Sequence, residues 1–382
     1  MTMKIWVIGR NYPTKQNKMS GSFELEQAKL IAKSEEDQND VAYISVCFHP
    51  FRKIKKWGYC SFEEDGVSVH TDSVLFVPDK LHIHLKPFRK FIWKRLLQRV
   101  EKETGIPDVI HVHYPALITI PEPVLDYQKK GTRVVLTEHW TKVLNNTITS
   151  YQRKQLAQYV QNADQIICVG QPLKESIQKI TGTDRKLVVI PNVVSNLFYP
   201  ERNAKGKGFN FVTVGRLVPV KQMDQVALAF SKAFAGRKDV TLTVVGGGEE
   251  KEKIEAIIKS SHMETQILMT GTLSREETAA KVRAADALVC FSRLETFGVP
   301  VIEAWACGIP VIATDCLGFL EYWTEDLGIL VRHDKPEELE EAMRQICSNS
   351  GRYDAEKISR FAQENFSEQV IYHKLMQIYE KT

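Results

Sequence analysis

The chain has 382 residues, which is more than one hydrophobic core of ordinary size accommodates, so two domains are expected. Hydrophobic residues make up 43% of the chain and charged residues 26%, values that exclude disordered and fibrous proteins. The formal net charge of +4 is small for this length, so the overall charge does not call for a nucleic-acid partner.

The start of the sequence, MTMKIWVIG, leads directly into a strand pattern without the apolar segment of a secretory signal. No run approaches the roughly 20 apolar residues that cross a bilayer. The seven cysteines include no CxxC pair and no zinc-type spacing, which is typical of reduced thiols in a reducing compartment. A cytoplasmic protein is therefore expected.

Short β-branched runs alternate with longer helical patterns along the first half of the chain. The runs are apolar at successive positions, as in parallel strands covered by helices on both faces. Six strands are predicted in this half, at residues 4–9, 41–48, 108–114, 132–139, 165–170 and 186–192.

A strongly basic segment lies between the second and third of these strands. Residues 86–102, KPFRKFIWKRLLQRVEK, carry seven basic residues and one acidic residue, interleaved with aromatic and aliphatic side chains. Upstream, residues 51–57, FRKIKKW, add four more cations. Two interpretations stay open: a helix from Lys86 to Lys102 lying on an anionic membrane surface, or a helix packed on its sheet with a solvated basic face.

The domain boundary is predicted in the polar segment 196–210, which contains Pro200, Gly206 and Gly208. This places residues 1–200 in the first domain and 201–382 in the second. Six further strands are predicted after it, at residues 209–217, 240–247, 265–271, 287–292, 310–314 and 328–331. A last amphipathic segment, at about residues 367–379, is able to pack on either domain. Both domains are predicted to be α/β, with doubly wound parallel sheets.

The most informative stretch is SRLETFGVPVIEAWACGIPVIATD, residues 292–315. It follows a predicted strand, at the edge where open α/β sheets bind ligands. Glu295 falls on the loop, Pro300 suits the first position of the following helix, and Glu303 is predicted in its first turn. Between the carboxylates, the amides of residues 297–299 are predicted to attract phosphate at a helix N-terminus.

Two cations follow the first strand of the second half, in GRLVPVKQMD. Arg216 comes at the strand end and Lys221 at the start of the next helix, so both are expected at the same edge as the two carboxylates. Carboxylates accept hydrogen bonds from vicinal hydroxyls, and two cations neutralise a leaving diphosphate. The set fits a sugar joined to a nucleoside diphosphate.

These motifs carry a family resemblance. The spacing E-x7-E, followed by A-x-G-x-P-V-I-A-T and preceded by G-R-L-x4-K, resembles the retaining glycosyltransferases of family 4, which have the GT-B fold of two Rossmann-like domains. Segments that resemble the family's pattern occur in family order along the chain: SGSFELEQAKLIA, PNVVSNLFYP and VVGGGEEKEKIE.

The resemblance implies a role for each motif. Glu303 would bind the donor ribose, Glu295 the donor sugar, the amides of Phe297, Gly298 and Val299 both sugar and phosphate, and Arg216 and Lys221 the diphosphate. Gly21 would let the backbone approach the donor phosphates, and His139 would face the sugar, so the catalytic residues would be Glu295, His139, Arg216 and Lys221. The first domain would bind the acceptor and the second domain the donor.

The implied reaction is metal-independent transfer of a hexose-type sugar, with retention, from a UDP- or GDP-sugar to a glycan or lipid-linked sugar, in cell-surface polysaccharide synthesis. The location would be the cytoplasm or the inner face of the cell membrane. No D-x-D motif occurs, and His111 and His113 lack a third metal ligand at usable spacing. One departure is Gly318, where many relatives carry a Gly-Gly pair. A non-hydrolysing nucleotide-sugar epimerase and a non-catalytic nucleotide-sugar-binding module remain alternatives.

Overall fold

The computed structural model describes residues 2–13, 20–34, 37–49, 57–75, 86–118, 120–184, 186–201, 208–316 and 318–380. The chain divides into two compact units. The first contains the chain up to Ile190 and the residues from Tyr372 onward, and the second runs from Pro191 to Ile371. The division therefore falls at Ile190 and not at residue 200, and the last residues belong with the first unit.

The first unit has an eight-stranded sheet in the order β3-β4-β2-β1-β5-β6-β7-β8. Every neighbouring pair is parallel except β3 with β4, which form an antiparallel hairpin. The six predicted strands are confirmed, and the hairpin was missed. The strands are β1 Lys4–Ile8, β2 Asp40–His49, β3 Gly58–Glu64, β4 Val67–Leu75, β5 Val109–His113, β6 Arg133–Glu138, β7 Gln165–Cys168 and β8 Leu187–Val189.

Helices follow most of these strands. They are α1 Ser22–Ala32, α2 Lys86–Thr104, α3 Pro115–Ile118, α4 Pro121–Leu125, α5 Thr141–Leu144, α6 Ser150–Asn162 and α7 Gln171–Thr181. The capping box at the start of α6, where Thr149 and Gln152 bond each other's backbone amides, fixes where that helix begins.

The second unit has a six-stranded, wholly parallel sheet in the order β11-β10-β9-β12-β13-β14. All six predicted strands are confirmed: β9 Phe209–Val214, β10 Val240–Val245, β11 Ile267–Gly271, β12 Ala287–Cys290, β13 Val311–Thr314 and β14 Gly328–Val331. Its helices are α8 Met223–Ala233, α9 Lys251–Ser260, α10 Arg275–Arg283, α11 Val299–Ala306, α12 Pro336–Ser348 and α13 Ala355–Phe366, and α14 Glu368–Glu380 ends the described chain.

The strand order creates a switch point in each sheet. In the second unit the chain passes from β9 to β10 on one side and later returns to β12 on the other. In the first unit β1 has β2 on one side and β5 on the other. Loops leaving the carboxyl ends of β9 and β12, and of β1 and β5, therefore diverge around a crevice, where α/β sheets bind ligands.

Helix α2, which contains the basic segment, has two different faces. Ile92, Trp93, Leu96 and Leu97 are at most 3% exposed and pack in the core, as the packed-helix interpretation requires. On the other face Phe88 and Phe91 are 50% and 61% exposed, beside exposed Lys90 and Lys94. Residues 51–56 of the upstream basic stretch lie outside the described residues. Among the described helices, none combines the length and hydropathy needed to span a bilayer.

Candidate active site

The loop after β9 is locked to the loop after β10 by main-chain hydrogen bonds. The Leu217 amide donates to Gly247 O (3.0 Å), and the Glu250 amide donates to Leu217 O (3.0 Å). The two backbones approach so closely that a Cβ on Gly246 would lie 1.8 Å from a carbonyl oxygen of the β9 loop. The glycine run after β10 thus holds the loop that carries Arg216 and Lys221.

A second set of bonds locks the β9 loop to the loop after β12. The Arg293 amide donates to Val220 O (2.9 Å), and Arg293 Nε donates to Gln222 Oε1 (2.8 Å). Gln222 Nε2 in turn donates to His333 O (3.1 Å), just beyond β14. Sequence reasoning missed Arg293 and Gln222, because their contacts exist only once three separate loops meet.

Lys221 and Glu295 are brought together by this arrangement. Lys221 Nζ forms an ion pair with Glu295 Oε1, and Ser292 Oγ donates to the same carboxylate oxygen (3.3 Å). The side chains of Lys221 and Glu295 are 20% and 13% exposed, so the pair is sheltered but open to a ligand. Two residues 74 positions apart in sequence therefore meet at one point of the sheet edge.

Helix α11 begins beside this pair. Gly298 caps it in the left-handed conformation (φ 93°), which disfavours other residues, and Pro300 occupies its second position and not its first. No residue of the described part of the chain accepts a hydrogen bond from the amides of Phe297, Gly298 or Val299. These donors follow Glu295, the ion-pair partner of Lys221, in the chain and suit an anionic group.

The single Gly318 has a structural explanation. A Cβ on Gly318 would lie 2.0 Å from Thr296 O and 3.1 Å from Phe297 Cα. The loop after β13 therefore packs directly against the backbone that leads into α11, and only a glycine fits at this contact. The neighbouring Leu317 lies outside the described residues.

Glu303 departs from its predicted position. It is the fifth residue of α11, beyond the first turn, because the helix begins at Val299. Its carboxylate is 2.5 Å from Arg275 Nη1, at the start of α10, and the residue is only 1% exposed. Arg275, which the sequence analysis did not identify, neutralises this buried carboxylate and would have to share it with any ribose hydroxyl.

Arg216 lies on the same loop as Lys221 but is exposed, and no ion pair joins it to a carboxylate among the described residues. Gly21 directly precedes α1 in the first unit, with φ 84°, and a Cβ there would lie 1.9 Å from Asn11 O. A tight turn therefore requires this glycine whether or not a ligand contacts it.

His139 lies at the carboxyl edge of the first sheet within a group of stacked side chains. Its ring stacks on Tyr114 (centroids 4.8 Å apart), and its Nε2 lies 3.0 Å from His113 Nδ1. The Arg10 guanidinium lies 3.8 Å above the Tyr114 ring and pairs with the buried Glu24 carboxylate (2.7 Å). The sequence analysis identified only His139 as a site residue here.

The backbone of the His139 loop is held by the fully buried Glu138. One carboxylate oxygen accepts from the amides of His139 and Trp140 (both 2.9 Å), and the other accepts from the Ala116 amide (3.1 Å). Burial raises the pKa of Glu138 to about 7, against the opposing effect of these hydrogen bonds and of Arg10.

His111 is engaged on both ring nitrogens, with Tyr379 Oη and Thr137 Oγ1 each 2.6 Å away. Burial holds the pKa values of His111 and His113 well below the usual range, so both rings are neutral. Within the residues that the structure describes, no group of three or more His, Cys, Asp or Glu side chains is arranged to hold a metal ion.

Two family models match the chain. Residues 57–195 match the model described as Glycosyltransferase Family 4, and residues 197–365 match the model described as Glycosyl transferases group 1. The second match contains Lys221, Glu295 and Glu303, and the first contains His139. Between them the models account for most of the chain.

Two relatives whose names describe sugar transfer or glycoside synthesis are similar in sequence to this chain. The chain is 26% identical over 243 residues to the phosphatidylinositol N-acetylglucosaminyltransferase GPI3 subunit of Saccharomyces cerevisiae, a match that covers 61% of this chain and 54% of that protein. It therefore spans about half the length of that relative. It is 25% identical over 294 residues to the N-acetyl-alpha-D-glucosaminyl L-malate synthase of Bacillus anthracis, covering 71% of this chain and 70% of that protein.

Solved structures share the fold over the whole chain. Sucrose-phosphate synthase from Thermosynechococcus elongatus matches with a TM-score of 0.76 and 19% identity, covering 99% of this chain and 98% of that one. HepE from Anabaena, in complex with UDP and glucose, matches with a TM-score of 0.75 and 18% identity, covering 100% of both chains. The two family matches identify the chain as a glycosyltransferase of the family 4 type, and the two sheets and the solved structures show that it is built on the GT-B fold.

Proposed function

We propose that this glycosyltransferase moves a hexose-type sugar, with retention of anomeric configuration and without a metal ion, from a UDP- or GDP-sugar to a glycan or lipid-linked sugar. The second unit would hold the donor and the first unit the acceptor. The reaction would take place at the cytoplasmic side of the cell and serve cell-surface polysaccharide synthesis.

The observation that carries the proposal is the Lys221–Glu295 ion pair beside the N-terminus of α11. A carboxylate there accepts hydrogen bonds from sugar hydroxyls, while the ammonium and the amides of residues 297–299 meet the phosphates. Arg216, on the same loop and without an ion pair to a described carboxylate, supplies a second positive charge. Cations aimed at the leaving diphosphate stabilise the charge that develops as the glycosidic bond breaks.

In the proposed reaction the acceptor hydroxyl attacks the anomeric carbon from the face that the leaving group departs from. The bond between the anomeric carbon and the phosphate oxygen breaks, and a bond to the acceptor oxygen forms. The acceptor proton passes to the leaving phosphate oxygen, so the enzyme needs no covalent nucleophile. Lys221 and Arg216 would neutralise the nucleoside diphosphate that leaves.

Nucleotide binding is the first test of the proposed donor class. Thermal unfolding with UDP, GDP and ADP, each with and without EDTA, should show one nucleotide raising the midpoint, since a ligand stabilises the state it binds. An effect that vanishes with EDTA would contradict metal independence. Stabilisation by none of the three would contradict the proposed donor class.

Turnover separates the proposal from its alternatives. The stabilising nucleotide's sugar, supplied with a glycan acceptor, should give a product whose anomeric configuration by NMR matches the donor. Lys221→Met should lower kcat by about 100-fold or more, as expected for loss of a group that stabilises the transition state, while Lys238→Met, an exposed control, should not. Epimer formation from donor alone would favour the epimerase, and binding without any turnover would favour the binding module.

We also propose that the exposed face of α2 contacts an anionic membrane surface. The support is that Phe88 and Phe91 remain exposed next to Lys90 and Lys94 although the opposite face of the helix is buried. Aromatic side chains among lysines suit the boundary between lipid headgroups and acyl chains. Arg95 is excluded from this surface, because it pairs with the buried Asp72 carboxylate (2.6 Å) and its loss would leave that charge unpaired.

Sedimentation with vesicles of neutral or anionic phospholipid tests this contact. Replacing Lys90 and Lys94 by Gln should weaken binding to anionic vesicles by about 30-fold, at about 1 kcal/mol per lysine near the surface. The matched control replaces two exposed lysines of other helices, Lys179 and Lys259, by Gln. Equal binding to both vesicle types, or equal losses in both double variants, would contradict the proposal.

A further inference from the structure

His113 is a buried neighbour of His139 for which neither the family resemblance nor the proposed reaction provides a role. It is the last residue of β5 and is 2% exposed. Its Nδ1 lies 3.0 Å from His139 Nε2, and the planes of the two rings differ by only 16°. A hydrogen bond therefore joins the two rings, and one of the two nitrogens must carry its proton.

The surroundings of His113 decide which nitrogen that is. Its other nitrogen, Nε2, is buried and has no hydrogen-bond partner among the described residues. Burial holds the pKa of His113 well below its usual range, so the ring carries a single proton. A proton on Nε2 would leave a buried N–H without an acceptor, and orphaned buried N–H groups are rarer in proteins than buried acceptors with an unfilled lone pair. The proton therefore belongs on Nδ1, where it is donated to His139.

We propose that His113 is a positioning residue that fixes His139 as the neutral tautomer protonated on Nδ1. Because His139 Nε2 accepts the bond from His113, its single proton lies on Nδ1, which makes Nδ1 a hydrogen-bond donor. His139 then acts as a hydrogen-bond donor toward a sugar oxygen and not as a base. This role in catalysis rests on the proposed function, whereas the tautomer itself does not.

Neighbouring groups fix the orientation of the His139 ring as well. Tyr114 stacks on it from one side, and its own backbone has a left-handed φ of 53°, an unusual conformation for a tyrosine. Arg10 covers the Tyr114 ring, and Glu138 holds the backbone amide of His139. The ring plane and the proton position are thus set by separate contacts.

Nitrogen-15 NMR of histidine-labelled protein tests the tautomer directly. The His139 signals are identified by their loss in His139→Gln. In the wild-type protein Nδ1 of His139 should be protonated and Nε2 unprotonated. His113→Asn, whose amide places a donor where Nδ1 was, should keep this pattern, and His113→Leu should lose it. A wild-type His139 protonated on Nε2, or on both nitrogens, would overturn the proposal even if the leucine variant fails to fold.

Kinetics then test the consequence. His113→Leu should lower kcat/KM by about tenfold, equivalent to about 1.4 kcal/mol of transition-state stabilisation, while His113→Asn should stay within about twofold of wild type, with thermal unfolding measured as a control for folding. Equal losses in both variants would mean that His113 acts only through packing. A chain with the expected NMR pattern but no transferase activity would contradict the proposed function and leave the tautomer assignment intact.

Discussion

Two carboxylates of the second unit already have cationic partners from the protein itself. Glu295 pairs with Lys221, and Glu303 lies 2.5 Å from Arg275. A sugar or ribose hydroxyl that approaches either carboxylate must share it with that cation. Weakening the existing ion pair costs free energy and so lowers the affinity for the ligand. This cost is larger for Glu303, which is almost fully buried.

The predicted contact between Glu303 and the donor ribose leads to a specific expectation. Glu303→Gln should weaken binding of the preferred nucleoside diphosphate by about tenfold or more, since hydrogen bonds to charged groups contribute about 1.5–3 kcal/mol. Binding of the corresponding 2′,3′-dideoxynucleotide should be weak in the wild type and change little in the variant. Calorimetric titration of both ligands measures this. Equal losses for the two nucleotides would indicate that Glu303 only partners Arg275.

Glu138 links stability to pH. Its folded-state pKa of about 7 lies above the ordinary carboxyl value of 4.5, so the folded protein binds this proton more tightly than the unfolded chain does. The resulting stabilisation is complete below pH 4.5 and is lost as pH rises through 7, a change of about 3 kcal/mol.

Glu138→Gln removes this titration. The free energy of unfolding of the wild type minus that of the variant should therefore decrease between pH 5 and pH 8, as measured by chemical denaturation. The variant should be less stable at every pH, because the NH₂ group of Gln would face a backbone N–H. The carboxylate now accepts a hydrogen bond from that N–H. A difference that is constant with pH would contradict the raised pKa.

At the scale of elements, the loops of the second sheet contact one another through backbone, and glycines make these contacts possible. Gly246 approaches the β9 loop and Gly318 approaches the loop before α11. This packing leaves little room for independent loop movement. The position of Lys221 relative to the start of α11 therefore depends on residues that need not touch a ligand.

Gly318→Ala tests this dependence. The added Cβ would lie 2.0 Å from Thr296 O, so the two loops must separate, at a cost of about 1–3 kcal/mol as for other overpacked sites. We expect lower thermal stability and a lower kcat/KM. Gly351→Ala is the matched control, because nothing lies within 4 Å of a Cβ there. Equal effects of the two substitutions would argue against the loop contact.

The β3–β4 hairpin shows what the sequence analysis overlooked among the elements. Its turn, Asp65-Gly66, has φ values of 51° and 82°, as in a type I′ turn, which joins the strands of a hairpin through a two-residue loop. The Asp-Gly pair was a readable signal in the sequence. It was missed because β3 is largely exposed and lacks the continuous apolar run by which the other strands were predicted.

At the scale of the whole molecule, each unit has its own sheet. A bound nucleotide should therefore stabilise mainly the unit that binds it. Saturation at about 100 times the dissociation constant stabilises the binding unit by about 2.7 kcal/mol. Hydrogen exchange should slow at residues 215–222 and 296–299 of the second unit. Strands β2 to β4 of the first unit serve as the internal control, and slowing there alone would contradict donor binding by the second unit.

The two doubly wound sheets were predictable because strands buried on both faces leave an unambiguous apolar pattern, and all twelve predicted strands exist. The GT-B fold was implied by the family resemblance. The meeting of Lys221 with Glu295 was predictable as well, since parallel strands place their following loops at one edge. The contacts of Arg275, Arg293 and His113 were not, because each depends on how separate elements pack. The depth of Glu303 in α11 was misjudged because the helix start was placed too late.

The residues from Tyr372 onward complete the first unit. Tyr379 bonds the buried His111, and the carbonyl of Ile378 accepts from Arg133 Nε (2.8 Å). During synthesis on the ribosome these residues are translated more than 180 positions after β8, the last strand of the amino-terminal sheet. All residues of the second unit, Pro191–Ile371, are therefore translated before the last residues of the first unit. The unit that begins first along the chain is the one that is completed last.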